Sequence, residues 1–160
     1  MVISGTRESL LKCIGHLRKF LGHDPRPVKL NVSAPFHTSI LKPAADVVRT
    51  ELAKMHLALP PRIQVISNVT AREFPNDEAQ IKHLVTEQTV RRVRWYESVL
   101  YLNDRCGVKR WLGIGPGNVG RNLIGREMGM EKVWGLSSVS ELDGVLDMLA
   151  SDIVAKDFES

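Results

Sequence analysis

Apolar residues recur with a helical period along "TRESLLKCIGHLRKFLG": Leu10, Leu11, Ile14, Leu17 and Leu21 share one face, and Thr6 and Ser9 are candidate N-caps. The spacing predicts a helix over 7–21. Before it, Val2 and Ile3 read as the end of a short strand and Ser4-Gly5 as a turn, and after it "HDPRP" breaks the pattern. The period then changes to 2. Val28, Leu30 and Val32 alternate with polar residues, as in a half-buried strand running up to His37. From Ser39 to about Met55 the helical period returns, with Pro43 tolerable in the first turn, Leu52 and Met55 facing inward and "LALPPR" ending the element.

Further along, "IQVISNVT" at 63–70 predicts a short buried strand, and helices are expected over about 77–88 and 95–103. "VKRWLGIG" reads as a strand, "GPGNVGRNLIGREMG" as a loop and helix, "KVWGLSSV" as a strand, and "SELDGVLDMLASDIV" as a closing helix begun by Ser140. Strands alternating with helices define an α/β class with mostly parallel pairing. The chain shows no internal repeat or low-complexity tract.

Composition narrows the picture without redirecting it. A chain of 160 residues is one ordinary domain or part of one. At 43% hydrophobic and 25% charged residues it reads as soluble and globular, and no apolar run approaches the ~20 residues of a membrane span. Cys13 and Cys106 form no CxxC pair, which argues against a zinc ribbon or a disulfide framework and for a reducing compartment. Cys13 and His16 have a spacing some metal ligands use, with His23 nearby, but no second ligand pair supports a metal site. His56 and His83 read as surface residues. The formal charge of +4 suits an acidic partner, yet the arginines are not interleaved with aromatics as nucleic-acid motifs require. The opening "MVISGTRESLL" resembles neither a signal nor a transit peptide, and the chain is expected to begin in mid-fold.

Three stretches carry candidate chemistry. His37 follows a proline at the end of the predicted 28–32 strand, where loops expose side chains to clefts; the plainer reading is a histidine that caps or packs the turn. "GPGNVG" at 115–120 fits a dinucleotide template after a strand, but Pro116 fills the turn and no ribose-binding acid ends the following strand near Val133 to Leu136. A tight strand-to-helix turn with free amides explains it better. "RRVRW" at 91–95 holds the densest positive charge, which is either a solvated face or a dock for an acidic protein or coenzyme phosphates.

Taken together, "VISGTRE", "LNVSAPFHTSILKPAA", "ISNVTA", "EQTVRRVRWYESVLYL" and "WLGIGPGNVGRNL" resemble, in order and spacing, the C-terminal half of the malonyl-CoA:acyl-carrier-protein transacylase family, and the tail "VWGLSSVSELDGVLDML" is similar to mitochondrial-type members. The resemblance implies an acyltransferase of fatty acid biosynthesis that moves a malonyl group from malonyl-CoA to acyl carrier protein through a malonyl-serine, with no cofactor. It implies that His37 is the general base, oriented by the main-chain carbonyl of Gln88, and that Phe36 narrows the pocket against a methyl branch. Asn68, Gly115 and Gly117 would line the same cleft, and Arg91, Arg92 and Arg94 would dock the carrier protein. It further implies an incomplete hydrolase-like parallel sheet with flanking helices over 33–160, keeping strands at 63–67, 109–114 and 132–137, plus part of a ferredoxin-like small subdomain over 1–32. A mitochondrial-matrix location would follow in a eukaryote and a cytoplasmic one otherwise.

The chain departs from that family in one respect that decides its chemistry. The family's nucleophile sits in a GxSxG elbow, and no serine here has glycines at both flanking offsets; "GLSS" at 135–138 lacks the second. The family's malonyl-binding arginine and glutamine-bearing loop are absent too. A fragment, inactive alone and completed by a missing N-terminal half, is the expectation. A non-catalytic module that binds acyl carrier protein is the alternative, and a nucleotide-binding domain comes third.

Overall fold

The computed structural model describes residues 2–157, the side chains of 152–157 excepted. It divides into two compact units, 1–98 and 99–160.

In the first unit, helix α1 (Arg7–Leu21) occupies the expected residues. The Thr6 side chain accepts from the Ser9 amide to cap it, and Gly22, at φ 72°, ends it in the left-handed conformation that costs glycine least. None of its residues is buried. The strands foreseen at 2–3 and 28–32 do not form, and Val28, Leu30 and Val32 are 83, 50 and 63% exposed. Alternation marks a face, but a strand exists only when a second strand satisfies its amides and carbonyls, and no described segment pairs with either.

A 3-10 turn at Ser39–Leu41 leads into helix α2 (Lys42–Ala53), with Pro43 in its first turn, where its missing N–H costs nothing. Helix α3 (Glu78–Gln88) packs against α2, with Ala45 and Ile81 buried. Asp77 caps α3, its carboxylate accepting from the Gln80 amide at 2.8 Å. Between the two helices, the strand expected at 63–70 is reduced to a single antiparallel bridge, Ile66 with Glu73. There the chain turns back on itself: the Ser67 amide donates to the Arg72 carbonyl and the Ala71 amide to that of Ser67, both at 2.8 Å. Ser67 is fully buried because it closes this turn, rather than because it lies in a sheet.

Helix α4 (Trp95–Asp104) spans the division between the units. In the second unit, β1 (Trp111–Ile114), helix α5 (Val119–Met128) and β2 (Val133–Leu136) form a βαβ element, the strands parallel with Trp111 opposite Val133 and Ile114 opposite Leu136. Val99, Trp111, Ile124 and Val133 make its core, with Leu102, Val108 and Met128 packed against them. Helix α6 (Leu142–Asp157) packs on β2, and the Arg110 guanidinium lies 6.0 Å from the Trp134 ring centre while donating to the Met148 carbonyl. A 3-10 turn at Val139–Glu141 leads into α6, and its cap is Ser138 rather than Ser140, in a reciprocal capping box with Glu141. The architecture is therefore α/β with a small parallel sheet and flanking helices; of the three strands expected in the sheet, 63–67 is not a member.

Candidate functional site

His37 lies in the loop before the 3-10 turn, with φ at 62°. That is the left-handed region, which histidine, asparagine and aspartate enter more readily than other non-glycine residues. Two main-chain groups at the end of α3 hold it. Its amide donates to the Thr89 carbonyl at 3.1 Å, and its ring Nδ1 lies 2.9 Å from the Gln88 carbonyl oxygen. A carbonyl oxygen only accepts, so Nδ1 carries the proton and donates. Among the described residues no group bonds to Nε2, and an imidazole in this arrangement can accept a proton there. The ring is exposed, with the Phe36 ring centre 6.5 Å away, also exposed.

The residues after Gln88 run as a strap to Arg94. The Arg94 amide donates to the Asn68 carbonyl and its Nη1 to the Thr70 carbonyl, both at 3.0 Å. Its Nε donates to Glu97 Oε2 at 2.7 Å, and Nη2 reaches the same oxygen. Asn68, Gln88, Phe36, His37 and the three arginines thus all belong to the first unit.

The arginines are not a bare cationic face. Arg91 pairs with Glu87 at 2.8 Å and Arg92 with Glu97 at 3.1 Å, leaving their side chains 67% and 80% exposed, against 37% for Arg94. These contacts draw both acids below the usual carboxylate range: the Arg91 hydrogen bond is the main cause at Glu87 and the Arg94 hydrogen bond at Glu97. Arg91, Arg92, Arg94, Glu87, His83, Val69 and Leu84 surround a concavity of about 380 Å³. The sequence also carries a signal for these charged partners, since Glu87–Arg91 at i, i+4 and Arg94–Glu97 at i, i+3 are spacings at which side chains meet.

Gly115 and Gly117 lie in the second unit, between β1 and α5, at φ 137° and 80°. The Gly115 amide donates to the Leu136 carbonyl at 3.2 Å, which extends the β1–β2 pairing by one step. Asn118 opens α5 without a side-chain cap, and its carbonyl accepts from Asn122.

The fold is an α/β scaffold in which a main-chain carbonyl fixes the tautomer of an exposed histidine. Over most of its length the chain is related to the malonyl-CoA:acyl-carrier-protein transacylases. The malonyl CoA-acyl carrier protein transacylase of Escherichia coli strain K12 is 31% identical over 148 residues, 92% of this chain and 46% of that protein. The crystal structure of a transacylase of the same name from Xanthomonas oryzae superposes with a TM-score of 0.80 at 28% identity, over 90% of this chain and 44% of that one. A malonyl-transacylase solved in complex with its type II polyketide acyl-carrier protein matches with a TM-score of 0.76 at 28% identity, over 89% of this chain and 45% of that one. No family model matches the chain. The chain spans about half the length of the relatives it matches.

Proposed function

We propose that this chain carries the base-bearing part of a malonyl-transfer site. The observation that supports the reading best is the bond from His37 Nδ1 to the Gln88 carbonyl, which leaves Nε2 as the proton acceptor. In the proposed cycle, Nε2 takes the proton of a serine hydroxyl as its oxygen attacks the malonyl thioester carbonyl. The tetrahedral intermediate collapses with loss of the coenzyme A thiolate, which His37 protonates. The carrier protein's thiol then attacks the malonyl ester, giving its proton to His37, and the serine oxygen leaves and recovers a proton. A neutral carbonyl fixes the tautomer but stabilises the imidazolium less than a carboxylate would.

No serine of this chain has the GxSxG setting, so the hydroxyl comes from outside it and the chain alone makes no acyl-enzyme. Phe36, next to His37, would restrict branching at the α-carbon, Asn68 would line the acyl cleft, and Arg91 and Arg92 would meet the acidic carrier protein. We assign 33–160 to an incomplete hydrolase-like subdomain and 1–32 to part of a ferredoxin-like one; the exposed Val28, Leu30 and Val32 fit a segment whose strand partners lie in the remainder of the fold.

The test is malonyl transfer to acyl carrier protein by the chain, alone and mixed with a polypeptide supplying the remainder of a relative. Transfer is expected only in the mixture and is lost with His37→Ala; transfer by the unmixed chain, or survival in His37→Ala, overturns the reading. The missing elbow also favours a second reading, a module that binds the carrier protein without acylating it. That reading expects binding with no transfer in either sample.

A further inference from the structure

The segment from Gln88 to Arg94 grips two parts of the first unit at once. At its start, the Gln88 and Thr89 carbonyls hold the ring and the amide of His37. At its end, Arg94 holds the 67–72 turn through its own amide to the Asn68 carbonyl and through Nη1 to the Thr70 carbonyl. We infer that Arg94 is a positioning residue, setting the Asn68 turn against the His37 base through this strap rather than by touching substrate. The inference rests on the reading of His37 and Asn68 as parts of one transfer site.

The geometry explains why arginine suits the position. Thr70 and Glu97 are approached from different nitrogens of one planar fork, Nη1 toward the carbonyl and Nε with Nη2 toward the carboxylate. Glu97 stands in the first turn of α4 and anchors the fork, so the group that meets the Thr70 carbonyl is itself held in place. A lysine ammonium is a single point of charge on a flexible stem and satisfies one of these acceptors at a time. Of the other bonds that define the turn, Ser67 to Arg72, Ala71 to Ser67, Val69 to Ser67 Oγ and Arg72 to Thr70 Oγ1 are internal to it, and Phe74 to Val65 and the Ile66–Glu73 bridge extend them along the chain on either side. These bonds shape the turn from within, and a bond to the strap is of a different kind. Arg94 makes two bonds of that kind, from its amide to the Asn68 carbonyl and from Nη1 to the Thr70 carbonyl.

The test uses the intact chain with Arg94→Ala and Arg94→Lys, read by amide hydrogen exchange and by 15N shifts of the His37 ring. Arg94→Ala is expected to speed exchange at position 94, at Ala71 and at His37 on the order of tenfold, while the Gly115 amide in the second unit keeps its rate. The His37 ring, a Nδ1–H tautomer in the parent, should move toward a mixture of tautomers, a signature that a mere loss of stability does not produce. Arg94→Lys, which keeps one contact, should fall between the two and serves where the alanine variant does not fold. Unchanged exchange and an unchanged tautomer in both variants would overturn the inference, and so would equal acceleration in the two units. Failure of the transfer reading looks different: the exchange and tautomer changes appear, but no mixture of polypeptides moves malonyl.

Discussion

The left-handed backbone at His37 gives the sharpest stability prediction, because it reverses the usual order of two substitutions. At an ordinary position, glycine is less stable than alanine by roughly 0.5–1 kcal/mol, since it has more unfolded freedom to lose. At φ 62° any Cβ meets the following carbonyl, at a cost of roughly 1–2 kcal/mol that glycine escapes. His37→Gly and His37→Ala both lose the ring bond to Gln88, so that contribution cancels between them, and both keep the amide bond to Thr89. The difference that remains favours glycine by about 0.5–1 kcal/mol. Urea unfolding of the two variants as intact chains, with equal m-values, measures it directly. Alanine as stable as glycine, or more so, would refute the assignment of His37 to a strained conformation, and with it the argument that backbone geometry aims the imidazole.

Four further outcomes follow from other contacts. Val133→Ala empties part of the second unit's core beside Trp111 and Ile124 and should cost about 2 kcal/mol, seen as faster exchange at the β1–β2 amides. Asp77→Ala removes the acceptor for the Gln80 amide and should cost about 1 kcal/mol in thermal or urea unfolding. Glu78 is held at about 2, chiefly by its hydrogen bond from Lys82, then by the Leu57 amide and by His56. Its pKa is depressed on folding, so its contribution is complete above the unfolded value near 4.5 and is lost as the pH falls through about 2; a side-chain carboxyl titration by NMR with a midpoint near 4.5 would contradict this. Arg91→Ala with Arg92→Ala should weaken carrier-protein binding most at low salt, and titrations at two ionic strengths that showed no change would remove these side chains from the docking surface.

What could be read from the sequence was local. Helix α1 was placed at both ends because Thr6, a periodic apolar face and Gly22 are signals within one stretch of chain. The Ser138 cap was equally legible, since Glu141 stands three residues on. The strands at 28–32 and 63–67 failed for a different reason. Alternation at Val28, Leu30 and Val32 records a face suited to a partner, but pairing is non-local, and no described segment supplies one. Likewise the positive charge of Arg91, Arg92 and Arg94 was plain, whereas its partial neutralisation by Glu87 and Glu97, and the turn that Arg94 grips, depended on how α3, the strap and α4 are set in space.

The intact mass of the purified chain after exposure to malonyl-CoA, alone and beside a polypeptide carrying the GxSxG elbow, addresses the central claim most directly. We predict that this chain stays unmodified in both samples, while the elbow polypeptide gains a malonyl ester only when His37 is present. A malonyl group found on any residue of this chain by itself would contradict the division of base and nucleophile between two segments.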